Sequence, residues 1–204
     1  MYRIFDIAGI LHCCYGHDEG IFCCLVIDKE SFQNNSSDVV ISGSGDGVLI
    51  CWDVKTGVAV DILEKHEADV HCVDANRKWI VSGDASCCIA VWLRNRVDVF
   101  STLRHFLTPA GSAASERRGS GNKIGGGGGG CHLGVVRLLR LHPRCEDRLL
   151  SAGDFRCVLV WDLRKGTLLH QVHRQQISVK ELFLGDAYFV TSSHDGEIAI
   201  TAYW

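Results

Sequence analysis

The 204-residue chain has no long apolar run. Its longest early stretch free of charged and polar groups, Ile21 to Ile27, is far too short to cross a bilayer, which takes about 20 residues as a helix. It has no excess of one charge either. A formal net charge of −3 gives no general attraction to nucleic acid or to an anionic membrane, so neither is expected as a partner. The first residues carry one cation, Arg3, followed by Asp6, which is not the pattern of a secretory signal. Catalytic signatures are missing as well. There is no Gly-x-Ser-x-Gly elbow, no Gly-Lys-Ser or Gly-Lys-Thr phosphate loop and no Gly-x-Gly-x-x-Gly. The glycine-rich run from Gly43 to Gly47 leads into a strand, so no helix N-terminus stands ready for phosphate. Without Cys-x-x-Cys or a helical His-x-x-x-His, no metal site is expected, and the sequence implies no enzyme and no cofactor.

What the chain does have is cysteine, eleven in all, an odd number that leaves at least one unpaired. Six of them form the doublets Cys13-Cys14, Cys23-Cys24 and Cys87-Cys88. Adjacent residues on a strand point to opposite faces, so a doublet suits neither one disulfide nor one metal. The cysteines are therefore expected to be reduced and mostly packed, in a cytosolic or nuclear setting.

The chain also repeats itself. Val39 to Asp53, Ile80 to Trp92 and Leu149 to Asp162 align, and Phe189 to Thr201 fits the same frame with Thr201 in the tryptophan place. Trp52 and Trp92 lie 40 residues apart, as do Trp161 and Thr201, while Trp92 and Trp161 are separated by 69. A period of roughly 40–45 residues is that of a four-stranded propeller blade. A second register agrees: His17, His66, His132 and His173 are each followed four residues later by Ile21, Val70, Val136 and Ile177. In the first full repeat, strands are expected near 21–27, 38–43, 47–53 and 58–63, with tight turns at Ser44-Gly-Asp-Gly47 and Lys55-Thr-Gly57. Tyr2 to Gly9 matches Ile50 to Gly57, so two further strands are expected at the start, for about 17 in all. Breakers every eight to twelve residues rule out a helical reading.

The histidine frame, the Ser-Gly-x-x-Asp-Gly turn and the Trp-Asp ending together resemble WD-repeat proteins. The resemblance implies an all-β, WD-type β-propeller with four to five blades present, incomplete or open. By residue number the expected organisation is 1–16, the last two strands of a preceding blade; 17–64 and 65–105, two blades; 106–131, a flexible Gly-rich insertion; 132–171, a blade; and 172–204, a blade without its outer strand. His105 and His132, on either side of the insertion, both suit the third blade. The insertion carries Ser112, Ser115 and Ser120 near Arg117 and Arg118 and then six glycines; it reads as a disordered loop, with a regulatory or docking loop phosphorylated at those serines as the alternative.

The resemblance also implies a chain of Asp, His, Ser or Thr, and Trp inside each blade, in which every buried polar group finds a partner. The first full blade can supply Asp46, His17, Ser42 or Ser44, and Trp52. In the second, His66 and Trp92 remain but Ser86 stands in the Asp place. In the third, Trp161 and His132 remain, with Phe155 in that place and Asp154 displaced by one. The fourth keeps His173, Thr191 and Asp195. A propeller presents rim loops to peptides or other proteins, so the implied role is a protein-binding scaffold or substrate adaptor. The alternatives are a fragment of a larger WD-repeat protein without a function of its own and, against the lack of any acid, base or nucleophile set, an enzyme built on a propeller. Candidate contact residues are Asp18, Glu19, Glu67 and Asp69 as an acidic half, with Arg137, Arg174 and Gln175 as the other half.

Overall fold

The structure, a computed structural model, describes residues 11–28, 37–94, 99–104, 134–155, 157–173 and 178–202. Among them are fifteen strands and no helix. The first sheet is an antiparallel meander of β1 (Ile21–Ile27), β2 (Val39–Ser44), β3 (Val48–Asp53) and β4 (Ala59–Glu64). The second repeats it with β5 (Val70–Ala75), β6 (Trp79–Asp84), β7 (Cys88–Leu93) and β8 (Val99–Arg104). The third holds β9 (Val136–Leu141), β10 (Arg148–Gly153), β11 (Cys157–Asp162) and β12 (Thr167–His173). The fourth has three strands, β13 (Val179–Leu184), β14 (Tyr188–Ser193) and β15 (Ile198–Ala202). In the first blade the last three strands each begin one residue later than expected.

Turn chemistry explains the meander. Gly47 sits at φ 79° in the β2–β3 turn, where a side chain would be strained, and Gly57 and Gly166 play the same part between third and fourth strands. The aspartates after Trp52 and Trp161 cap those later turns: Asp53 Oδ1 accepts the Thr56 N–H at 2.8 Å and Asp162 Oδ1 the Lys165 N–H at 3.0 Å. In the second blade Cys87 takes the place of Gly47 and adopts φ 65°, the one left-handed non-glycine among the described residues.

Each core lies between blades. Val39, Ile41, Leu49, Cys51 and Leu63 of the first blade pack on Val70, Val73, Ile80, Ala90 and Trp92 of the second. Trp79, Val81, Ile89, Val91 and Leu103 then meet Leu139, Leu141, Leu149, Leu159 and Trp161 across the next seam. Leu150, Val158 and Val160 meet Val179, Leu182 and Phe189 across the last. Each fully buried aliphatic side chain contributes about 1.5–3 kcal/mol, so the seams carry the fold. Blades pack first on second, second on third and third on fourth, and the ring stays open.

Two expectations need correction. Residues 11–16, expected as part of a leading outer strand, form no strand. Instead this segment crosses the first blade, where His12 Nε2 lies 2.8 Å from the Lys55 carbonyl and Gly16 covers Trp52 and Ile50. The fourth blade opens at Val179, six residues after His173, while His173 ends β12 opposite Cys157. That histidine therefore sits on the third blade's outer strand. Ile177, His105, His132 and the whole of 106–131 lie outside the described residues.

Candidate functional site

Every inner strand bulges at the same place. In β1 the register passes from Ile21 to Cys23, in β5 from Val70 to Cys72, in β9 from Val136 to Leu138 and in β13 from Val179 to Glu181. The skipped residues are Phe22, His71, Arg137 and Lys180. A bulge frees one residue from the ladder and re-aims its side chain, so four blades set four side chains along one rim. Phe22 and His71 pair with ring centroids 4.8 Å apart, and Arg137 forks onto Asp154 at 2.6 and 3.1 Å. Lys180 is exposed. Sequence reasoning singled out Arg137 but missed the other three. The signal for two of them was present, since Phe22 and His71 directly follow the β-branched residue of the histidine register.

Polar chains inside the first two blades hold this rim. In the first, the His17 Nδ1–H donates to Asp46 Oδ2 at 3.0 Å, the Ser42 hydroxyl lies 2.7 Å from Nε2, and Trp52 Nε1–H donates to Ser42 Oγ at 2.8 Å. Ser42 is thus the hydroxyl in the chain, while Ser44 Oγ accepts the Asp46 N–H at 3.3 Å. Asp46 also accepts the backbone N–H groups of Val48 at 2.9 Å and Asp18 at 3.0 Å. That last bond ties the rim loop to the buried network.

The second blade has the same chain with its carboxylate moved. Asp84, not the position of Ser86, meets His66 Nδ1 at 2.7 Å. His66 Nε2 lies 2.7 Å from Ser82 Oγ, which accepts Trp92 Nε1–H at 3.1 Å. Ser86 donates twice to Asp84 Oδ1, from N–H and hydroxyl, each at 2.8 Å. Serine and aspartate have traded places between the two blades, because a carboxylate at the strand end or two residues on reaches the same imidazole. Burial pushes both carboxyls up, but the bonds they accept outweigh it and hold Asp46 and Asp84 below the usual carboxylate range. His66, Asp84 and Cys88 bring ligand-type atoms within 4.8 Å of one another, but His66 and Asp84 already bond each other within this network.

In the third blade Trp161 Nε1–H donates to Ser151 Oγ at 2.7 Å, and Asp154 is engaged by Arg137. In the fourth, the hydroxyl of Ser193 bonds Asp195, and Thr191 is buried. Asp18, Glu19 and Glu67 are exposed on the rim, and Asp69 is half-buried, its carbonyl accepting the Ala85 N–H at 3.0 Å. Arg174 and Gln175 lie outside the described residues. Of the expected basic half, Arg137 is committed to an internal ion pair.

The thiols divide. Cys51, Cys72, Cys87, Cys88 and Cys157 are buried, whereas Cys13, Cys14, Cys24 and Cys145 are exposed, so packing accounts for only part of the set. Burial pushes the Cys51 thiol up to about 12 and that of Cys23 up to about 11.

Antiparallel blades packed in sequence order, three of four strands and one of three, the first two carrying Asp–His–Ser–Trp chains, define a WD-type β-propeller. The family model of the WD domain, G-beta repeat, matches twice, over residues 9–53 and 57–92. It is 27% identical over 173 residues to the sterol regulatory element-binding protein cleavage-activating protein of Xenopus laevis, covering 85% of this chain and 10% of that one. It is 27% identical over 192 residues to the nuclear distribution protein PAC1-2 of Uncinocarpus reesii (strain UAMH 1704), covering 74% of this chain and 41% of that one. The chain thus spans well under half the length of these relatives. Among solved structures, the computationally designed Ika4 protein superposes with a TM-score of 0.70 at 20% identity, over 96% of this chain and 99% of that one. The WD40 repeats of RRP9 superpose at 0.69 and 20% identity, over 91% of this chain and 49% of that one. Both are likenesses of fold.

Proposed function

We propose that the chain is a protein-binding module, a scaffold or adaptor whose contact surface is the rim bearing Phe22, His71 and Lys180 with the loops around Asp18, Glu19 and Glu67. The observation that carries this reading is the bulge repeated in every blade, which aims one side chain per blade at the same rim. Exposed Phe22 against His71 offers an aromatic seat, and the neighbouring carboxylates favour cations beside it. The matching ligand is a peptide segment with an apolar residue flanked by Lys or Arg. WD40 propellers generally serve as interaction modules, which agrees with such a role.

The test is selection of a random peptide library on the immobilised full chain. Enriched peptides should carry that pattern and lose at least tenfold in affinity toward Phe22→Ala and Glu19→Lys/Glu67→Lys variants. Peptides that ignore all three substitutions would place binding elsewhere, and no enrichment would remove the rim reading.

A further inference from the structure

The face opposite the rim carries a hollow of about 690 Å³ on the third blade. Strand direction puts it there. Strands β9 and β11 both start at the rim, so the loops after them, 142–147 and 163–166, turn on the far side. The third blade has a neighbour on each side, so this surface belongs to the interior of the arc. Four cations line the hollow, Arg144, Arg148, Arg164 and Lys165, with three acids, Glu146, Asp147 and Asp162.

Two of the three acids are already engaged. Asp147 Oδ1 accepts Lys78 Nζ at 2.5 Å and Trp79 Nε1–H at 2.9 Å, and its Oδ2 lies 3.5 Å from Arg164 Nε. Asp162 Oδ1 accepts the Lys165 N–H at 3.0 Å and closes its turn. Glu146 stands exposed at the edge, where it also lines a cleft toward the second blade. The cations are less committed. Among the described residues, no carboxylate comes within ion-pair distance of Arg148 or Lys165. Arg144 meets Asp186 at 2.5 Å, but the two are 67% and 64% exposed. Such a surface pair is weak, so a ligand can draw Arg144 away from it.

The hollow is also held in shape. His142 Nδ1 accepts the N–H groups of Arg144 and Cys145, each at 3.1 Å, and Asn76 Nδ2–H donates to the Glu146 carbonyl at 2.9 Å. A wall fixed in advance loses little freedom on binding. Its volume is that of a pocket for a ligand of several residues, and a lone small anion would leave it mostly empty. The rim, by contrast, exposes Asp18, Glu19 and Glu67. We propose that this hollow is a second docking surface, for an acidic segment of a partner protein whose Asp or Glu carboxylates pair with Arg148 and Lys165, with Arg144 at the mouth. A basic segment on one face and an acidic one on the other would let the chain bridge two partners, but the second surface does not depend on the first.

A display library of octapeptides rich in Asp and Glu, selected on the immobilised full chain, tests this. Enriched peptides should bind at least tenfold more weakly to Lys165→Glu and to Arg148→Gln, each checked for native circular dichroism. Lys165 is exposed in a turn, so its substitution leaves folding intact. The same peptides should bind the Glu19→Lys/Glu67→Lys variant undiminished and lose affinity as salt rises. No enrichment, or binding that survives both substitutions in the hollow, would overturn the proposal. So would a tenfold gain on replacing one Glu of the peptide by phosphoserine, which would assign a phosphorylated partner. Displacement of the peptide by a single-stranded oligonucleotide that also needs Lys165 would overturn it in favour of nucleic acid. The rim reading fails on basic peptides alone, so the two failures are told apart.

Discussion

Asp84 meets His66 from a point two residues earlier in the turn than the point from which Asp46 meets His17, and both carboxylates reach Nδ1, at 2.7 and 3.0 Å. Each turn holds one serine and one aspartate two residues apart, in opposite order. The imidazole needs a carboxylate near Nδ1, and either position supplies it. This interchange makes the turn testable as a unit. Asp84→Ser should cost about 3 kcal/mol, because it leaves the buried His66 Nδ1 and the turn N–H groups without their acceptor. Adding Ser86→Asp should recover at least half of it, read from urea denaturation midpoints in a double-mutant cycle.

The two histidines should differ in worth. His66 and Asp84 are 0% and 1% exposed at their side chains, His17 and Asp46 4% and 13%. His66→Ala leaves a carboxylate with less access to water, and should destabilise by about 3–4 kcal/mol against about 1–2 kcal/mol for His17→Ala. Equal losses from the two variants would contradict that ordering.

Acid should weaken the first two blades. The folded pKa values of Asp46 and Asp84 lie below their unfolded values, so the unfolded chain binds more protons as pH falls. Their stabilisation is fully present above the ordinary carboxylate range, about pH 4, and is lost as pH drops through the folded values. Asp74 works the other way: burial raises its carboxyl, although the Leu141 and Ala75 N–H groups pull against that. Replacing Asp84 by Asn should flatten the fall of Tm between about pH 5 and 3, and replacing Asp74 by Asn should steepen it.

Gly47 and Gly196 offer a controlled pair. Both have positive φ, 79° and 86°, but a Cβ on Gly47 would lie 2.8 Å from the His66 carbonyl oxygen, and one on Gly196 would meet nothing within 4 Å. Gly196→Ala should cost about 1 kcal/mol for backbone strain alone, and Gly47→Ala about 1 kcal/mol more. Thermal denaturation of the two variants measures the steric share directly.

Much of the architecture was legible because the repeat is written in residues with single structural uses. Gly47 and Gly57 mark turns, and Trp52, Trp92 and Trp161 mark third strands, while the chain of His17, Asp46 and Trp52 with Ser42 or Ser44 was only what the WD-repeat resemblance implied. The second blade's carboxylate was not legible, because a frame that counts positions cannot see that Asp84 and Ser86 reach the same imidazole. The fourth histidine misled for a related reason. His173 stands at the right distance from Ile177, yet β12 runs on to include it, and only cross-strand register with Cys157 reveals this. The bulge residues were hidden because a bulge is a relation between two strands. Within β1 and β5 the sequence marks Phe22 and His71 only by their place after Ile21 and Val70, not by any periodicity.

The seam between the second and third blades joins Ile89, Val91 and Leu103 to Leu139, Leu141 and Leu159, yet the connection from β8 to β9 is the longest in the chain. Lys78 and Trp79 reach across it to Asp147, at 2.5 and 2.9 Å. Closing a longer loop costs only about 0.6 kcal/mol per doubling of length, so the length of that connection takes little from what the side chains supply. If the side chains suffice to replace the effective concentration the backbone provides, two separately made halves should recognise each other at high concentration and reconstitute the arc. A reporter enzyme divided at the same point would then light up only where both halves are present.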